Sequence, residues 1–331
     1  MKKKIIVLVV VLAMIFSVTG CEGKMTLESL LEVSAKNAKK VKSFEMGAVM
    51  EIDVDVEMDN MSVGITADGE VALEYTKDAS HITGEIAYSA ATEEESMDIE
   101  AYLIKEDDEY MVYQDDGQGW EMSSSEDAET DTEDVDKAFE AIQMGELIAL
   151  LADYEDDLEL NKELEKVNKK DAYLIEGEVD GNYLIDLLES IDVDEATDSF
   201  DELLEGSDVD LGDIKVEISL WIDKSSKLPV KMSVDFQGTV ETLVDAYTQM
   251  MTAGLGDVMG GETTNYFEGM KIKTNAALIE LTFSSFDKVK KIEVPDDVVE
   301  EAEENMKDLK DEIDTHNSEI QDAIDEIDAM D

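Results

Sequence analysis

The chain has 331 residues, and its 26 lysines and arginines stand against 85 acidic residues, a formal net charge of −59 at pH 7. It contains no arginine, so the bidentate guanidinium clamp for carboxylates and phosphates is absent. Such a charge repels nucleic acid and anionic headgroups, which excludes nucleic-acid binding and predicts a body that stands off an anionic membrane. The apolar fraction of 43% still allows most of the chain to fold.

The chain begins with a secretory leader. Three lysines at positions 2–4 precede an apolar run over residues 5–16, which is too short to cross a bilayer. Val18, Thr19, Gly20 and Cys21 then form a lipobox, in which two small residues let a peptidase reach the Gly20–Cys21 bond. We therefore predict a signal peptide over residues 1–20 and a lipidated N-terminus over residues 21–25.

Cys21 is the single cysteine, so the sequence predicts no disulfide. Its thiol is the group that diacylglycerol transfer requires, and the expected partner is therefore the membrane, through the Cys21 diacylglycerol. The expected location is the cell membrane, lipid-anchored on its extracytoplasmic face. Removal of the leader takes three lysines and no acids, which leaves 23 lysines, 85 acids and a net charge of −62.

Strands dominate the predicted body. From Met50 to Met58 apolar and acidic residues alternate, so one face of the strand is apolar and the other acidic. The pattern resumes from Met61 to Tyr75, with a bulge or bend predicted at Gly69. Further strands are expected over residues 82–88, 97–104, 110–113, 172–179, 214–222, 228–236 and 277–286. Tight turns between them indicate an antiparallel sheet with one wet and one covered face.

Four helical segments can cover that sheet. The first follows an N-cap at Thr26, and the others are predicted near residues 135–151, 182–204 and 240–251. The predicted fold class is α+β, with a large curved antiparallel sheet, or half-barrel, and helices over its concave apolar face. We predict a single domain over residues 26–298 and an acidic C-terminal helix over residues 299–331.

The lipobox, the helix after it, the long alternating hairpins, the turn at residues 117–120 and the closing strand from Phe283 to Phe286 resemble a family. Secreted bacterial lipoproteins of the LppX/LprG and LolA/LolB type share these features, and the resemblance covers most of residues 25–303. It implies a half-barrel whose concave face takes acyl chains, with no shared catalytic residue. Only Cys21 is carried over by position.

The predicted apolar cavity is lined by the inward parity of the strands. A strand of about eleven residues is about 36 Å long, which exceeds the length of a sixteen-carbon chain. A fully packed, dry core remains the alternative to a cavity. The cavity residues are Ile52, Val54, Val56, Ile65, Val71, Leu73, Val216, Ile218, Leu220, Val230, Met232 and Val234.

The predicted function is binding or carriage of an apolar ligand, a lipid or an acylated protein, without catalysis. The alternative is a surface interaction protein that binds a protein partner or cations through its acidic face or its C-terminal helix. In that helix an approximate heptad pattern suits either packing on the sheet or a partner-binding coil. Neither His81 nor His316 has a partner histidine, so no metal site and no cofactor are predicted.

Overall fold

A computed structural model describes residues 25–58, 61–90, 93–106, 109–115, 117, 119–124, 144–190, 212, 214–242, 270–307 and 310. Several predicted features lie outside the described residues. These are the signal peptide, the lipidation site at Cys21, His316 and the end of the C-terminal helix. The described part contains no helix that is long and apolar enough to cross a membrane.

Eleven strands form one open sheet in which every neighbouring pair is antiparallel. Across the sheet the strand order is β6-β5-β4-β3-β2-β1-β11-β10-β9-β8-β7. The strands are β1 Ser43–Met58, β2 Met61–Thr76, β3 Ala79–Ala90, β4 Glu93–Glu106, β5 Glu109–Asp115, β6 Glu121–Ser124, β7 Leu158–Val167, β8 Lys170–Asp180, β9 Lys215–Asp223, β10 Pro229–Asp235 and β11 Met270–Ser284. The predicted fold class, an α+β fold built on a curved antiparallel sheet, is confirmed.

The long hairpin of β1 and β2 follows directly from its alternating sequence. The two strands pair without a register shift from Ser43 opposite Thr76 to Met58 opposite Met61. Because side chains on a strand alternate between faces, this register puts the apolar residues of both strands on the same side. Of the bulge or bend predicted at Gly69, the bulge is wrong, since pairing with both neighbouring strands continues through that residue.

Three helices pack on the apolar face: α1 Leu27–Ala38, α2 Met144–Asp153 and α3 Asn182–Ser190. Helix α1 starts at a capping box, in which the Thr26 hydroxyl accepts from the Ser29 N–H and Ser29 Oγ accepts from the Thr26 N–H. Buried side chains of these helices and of the sheet form the main hydrophobic core, among them Leu31, Ile148 and Tyr183. This core lies near the end of the sheet where β1 begins.

Two further helical stretches are described, α4 over residues 237–242 and α5 over residues 296–307. The helix predicted from residue 299 therefore begins at residue 296. Val298 and Ala302 of α5 are buried in a second hydrophobic cluster, together with Tyr102, Tyr113 and Trp120 of the β3–β6 region. The expectation that one face of the sheet is wet throughout is wrong at this edge, because both faces are covered there.

Strand β7 was not among the predicted strands. Only Leu158 and Leu160 keep the alternation, after which pairing with β8 shifts register between Leu160 and Leu164. The shift adds two residues to β7, and the polar residues 161–163 between these leucines interrupt the period-two pattern from which a strand is identified. The strand lies at an edge of the sheet, where charged side chains are ordinary.

Candidate functional site

The predicted cavity residues all lie on the same face of the sheet, the face that carries α1, α2 and α3. Their strand positions share the parity of side chains that belong to the main core, such as Phe44 on β1 and Tyr75 on β2. The face is thus continuous from β4 to β8. It divides into two parts along the strands.

The part nearer the start of β1 is packed. Five of the predicted residues belong to the main core: Leu73, Val216, Ile218, Leu220 and Met232. Val230 is buried, while Val71 and Val234 are half-buried, and Val234 packs against this core. In this part the structure agrees with the alternative to a cavity, a fully packed and dry core.

The part nearer the β1–β2 turn has a different character, and we call it the distal trough. It is lined by Ile52, Val54 and Val56 of β1, Ile65 of β2 and Thr274 of β11, none of which belongs to either hydrophobic cluster. Val54 and Thr274 are buried, Ile52 and Val56 are half-buried, and Ile65 is exposed. The apolar face therefore extends well beyond the main core.

Three large side chains beside the distal trough, on β2, β3 and β4, are exposed to solvent. Ile65 is 41% exposed, Tyr88 48% and Met97 45%. They lie diagonally across β2, β3 and β4, since Tyr88 pairs with Ala67 and Met97 pairs with Ile86. We call these three residues the apolar rim. Exposed apolar groups on adjacent strands are a recognised mark of ligand or partner contact.

A β-bulge places a hydroxyl in the floor of the distal trough. On β11, Ala276 pairs with Asp53 but Thr274 pairs with Val54, so Asn275 is the extra residue. The bulge exchanges the two faces beyond it and turns Thr274, rather than Asn275, toward the apolar side. Thr274 is 1% exposed, and its Oγ1 has no hydrogen-bond partner among the residues that the structure describes. An unpaired buried hydroxyl is costly, which marks this position as unusual.

The opposite face of the sheet is acidic, and polar side chains on it hydrogen-bond to one another. Asn275 Nδ2 donates to Asp53 Oδ1 at 3.2 Å and to Asp55 Oδ2 at 2.9 Å. Elsewhere on this face Glu70 pairs with Glu85, which pairs with Asp98, so three carboxylates lie directly opposite one another. A depression of about 350 Å³ near Asp68 is lined mostly from this polar face. It is not the apolar cavity that the sequence predicts.

His81 lies within a set of hydrogen bonds and ring contacts beside the second cluster. Its Nε2 is 3.0 Å from Glu100 Oε1 and its Nδ1 is 3.8 Å from Glu74 Oε2. Its ring stacks on that of Tyr102, with the centroids 4.1 Å apart. Burial, with the neighbouring Glu100 carboxylate, raises the pKa of Tyr102 to about 12. These contacts give His81 a packing role at this edge.

Among the residues that the structure describes, no group of three or more histidine, cysteine or acidic side chains is arranged to hold a metal ion. The sequence missed the apolar rim as a unit, although Met97 and Ile65 each belong to a predicted strand. It also missed Thr274, because nothing in the alternation from Ala277 onward signals the extra residue at Asn275.

The chain is similar to a few solved structures at low identity. LprF from Mycobacterium bovis is 11% identical, with coverage of 81% of this chain and 96% of that one and a TM-score of 0.39. The lipoprotein LppX from Mycobacterium tuberculosis is 9% identical, with coverage of 81% and 98% and a TM-score of 0.32. A DUF1329 family protein from Desulfovibrio piger is 8% identical, with coverage of 80% and 95% and a TM-score of 0.19.

LppX is one of the lipoproteins of the type that the sequence resembles. No curated protein matches this chain. Residues 26–303 match a family whose description is a family of unknown function, DUF6612, and this match spans most of the chain. The protein therefore belongs to the DUF6612 family.

Proposed function

We propose that the protein is a lipid-anchored extracytoplasmic binding protein, which holds an apolar ligand in the distal trough without chemical turnover. The ligand class is a lipid or the acyl chain of an acylated protein. The anchor is the Cys21 diacylglycerol, and Gly20–Cys21 is the bond cleaved. The observation that carries the proposal is the apolar rim, where three large hydrophobic side chains stay exposed on the same face as the core.

The dimensions of the sheet support this class of ligand. Strands β1 and β2 have 16 residues each, so the apolar face runs for roughly 50 Å along them. The main core fills the part near the start of β1, while Ile52, Val56 and Ile65 farther along are half-buried or exposed. The remaining length suits an acyl chain lying along the strands. Met97 of the apolar rim has a flexible side chain that adapts easily to different apolar surfaces.

The first test compares two substitutions on opposite faces. Ile65 and Val49 are both exposed aliphatic residues, at 41% and 49%, but Ile65 lies on the trough side and Val49 on the acidic side. Asparagine lowers strand propensity at both positions, so Val49→Asn is the matched control for Ile65→Asn. Affinity is measured by titration with the fluorescent fatty acid cis-parinaric acid.

We expect Ile65→Asn to weaken binding about tenfold or more, because an isoleucine contact with the ligand is replaced by a polar group. Val49→Asn should bind like the parent protein. The proposal is wrong if the parent protein does not take up the fatty acid, or if both substitutions have the same effect. If the parent protein does take up the fatty acid, mass spectrometry of lipids that copurify with the protein from its native host identifies the natural ligand.

A further inference from the structure

The lysines of this acidic protein are not spread evenly over its surface. Twelve of them lie in four segments, which are residues 36–42, 166–171, 223–227 and 287–293. These segments contain twelve lysines and four acids, a net charge of +8 in a mature chain of −62. We call this surface the lysine end. Its lysines are Lys36, Lys39, Lys40, Lys42, Lys166, Lys169, Lys170, Lys224, Lys227, Lys288, Lys290 and Lys291.

The fold brings the four segments together at one end of the sheet. They are the turns before β1, between β7 and β8, between β9 and β10, and after β11, and these strands are neighbours. Three hydrogen bonds join the turns. Asn37 Nδ2 donates to the Ser226 carbonyl at 3.1 Å, the Lys224 N–H to the Asp171 carbonyl at 2.9 Å, and the Lys42 N–H to Asp287 Oδ1 at 2.8 Å.

The four acids of the lysine end all have partners within it. Asp171 forms an ion pair with Lys166 at 2.8 Å, and Glu293 forms one with Lys291 at 2.7 Å. Asp223 accepts from the N–H groups of Ser225 and Ser226, while Asp287 accepts from the Lys42 N–H.

The lysines themselves point to solvent. All twelve are exposed except Lys227, which is half-buried. Lys39 pairs with Glu146 of α2 at 2.8 Å, and Lys227 lies 4.6 Å from the Tyr173 ring centroid. The surface that this end presents is therefore cationic.

We infer that the lysine end is a docking surface for an anionic phospholipid membrane. The expectation from average charge, that the body stands off such a membrane, treats the charge as uniform. At physiological salt the Debye length is about 8 Å, so a membrane responds to the nearest charges rather than to the sum. At the same end the β2–β3 turn, beside β1, carries Lys77 and Asp78, whose charges cancel, while Glu106 on β4 and Glu109 on β5 lie about 14 and about 19 Å across the sheet from β1.

The proposed anchor has the reach to hold this orientation. Residues 21–26 can span at most about 20 Å. Helix α1 has 12 residues and is about 18 Å long, and it ends at the lysine end beside Lys39. A lipid on Cys21 can therefore lie in the same membrane that the lysine end touches. The inference does not depend on the apolar ligand, because it concerns a separate surface.

The experiment uses the mature chain with Cys21→Ser, so that no lipid is attached, and sedimentation with vesicles. One set of vesicles contains phosphatidylglycerol and phosphatidylcholine in a 1:1 ratio, and the other contains phosphatidylcholine alone. We expect binding to the first set only, and its loss in 0.5 M NaCl. Absence of binding to the phosphatidylglycerol vesicles at low salt would overturn the inference.

A pair of variants with equal charge separates the lysine end from total charge. The test variant changes Lys36, Lys170, Lys288 and Lys290 to glutamine, and the control changes Lys162, Lys215, Lys271 and Lys307. All eight side chains are exposed, and both variants lose the same charge. We expect the test variant to bind at least about tenfold more weakly and the control to bind like the parent.

Equal loss in both variants would show that only net charge matters, which would overturn the inference. Binding to a soluble anionic polymer such as poly(glycerol phosphate), with none to vesicles, would overturn it as well. Circular dichroism of each variant shows whether the sheet is intact. If the test variant is misfolded, the changes Lys288→Gln and Lys290→Gln alone are compared with Lys271→Gln and Lys307→Gln.

Discussion

Asn305 of α5 donates a hydrogen bond from Nδ2 to the carbonyl oxygen of Trp120, at 2.8 Å and across 185 positions of sequence. Trp120 is buried, so this carbonyl has little access to water. We expect Asn305→Ala to lower the free energy of unfolding by about 1–2 kcal/mol, because a mostly buried acceptor loses its donor. Urea unfolding followed by tryptophan fluorescence measures the change.

Lys307→Ala is the control for that substitution, since Lys307 is exposed on the same helix and its gain in helix propensity is smaller than that of Asn305→Ala. It should leave stability nearly unchanged. Equal stability of the two variants would mean that the Asn305–Trp120 contact contributes nothing to holding α5 on the sheet.

The row of carboxylates on the acidic face should destabilise the protein at low salt. Glu85 lies between Glu70 and Asp98 in direct register, and like charges directly opposite each other repel. Glu85→Gln should therefore stabilise the protein by about 0.5 kcal/mol in 20 mM salt, an effect that disappears in 1 M NaCl. Glu121→Gln is the control, because Glu121 pairs with the neutral Gln114. A salt-independent gain would contradict the electrostatic cause.

Two buried threonines should respond in opposite ways to the same change. Thr274 Oγ1 has no partner within the described part of the chain, so Thr274→Val should stabilise the protein by about 1 kcal/mol. Thr239 Oγ1 donates to the Lys215 carbonyl at 3.3 Å, and Thr239→Val should destabilise it by a similar amount. Thermal unfolding measures both. Loss of stability in Thr274→Val would mean that its hydroxyl is paired in solution.

Alkaline pH should weaken the fold through its buried tyrosines. Burial raises the pKa of Tyr102 to about 12, and it also raises the pKa of Tyr183. The folded state then holds phenolic protons that the unfolded state releases near pH 10. The stability from these groups is complete below pH 10 and is lost as pH rises toward 12. Absorbance at 295 nm and circular dichroism, recorded together, check this.

Tyr183→Phe should reduce the slope of that alkaline loss, because the substitution removes the raised phenol and no described residue hydrogen-bonds to the Tyr183 hydroxyl. Ionisation of every phenol near pH 10 while the circular dichroism signal stays constant would contradict the prediction.

The sequence predicted the sheet well where alternation is unbroken. Strands β1 and β2 were identified from their two parities of apolar and acidic residues, and these are the longest strands of the sheet. It failed where a bulge intervenes. Between Leu160 and Leu164 the bulge hid β7, and at Asn275 it concealed that Thr274 belongs to the apolar face. A bulge inserts an extra residue that interrupts the alternation, and it leaves no other sign in the sequence.

The alternation pattern also could not predict which distant segments of the chain pack together. The apolar stripe of α5 gave no sign that Ala302 would pack beside Trp120 on the second face of the sheet. The lysines of the lysine end come from four segments, and only the strand order makes them neighbours. The predicted cavity residues were placed on one face, but alternation alone did not separate the packed part from the distal trough.

The lysine end and the apolar rim lie on different strands of the same sheet, and Ile65 is the rim residue farthest from the lysine end. Ile65 pairs with Val54, which is eleven residues along β1 from Ser43, a distance of roughly 36 Å. If the cationic surface rests on a bilayer, as inferred above, the Ile65 end of the apolar rim faces away from that bilayer. An apolar ligand held there, as proposed above, would then be exchanged about 36 Å from the bilayer surface rather than at it.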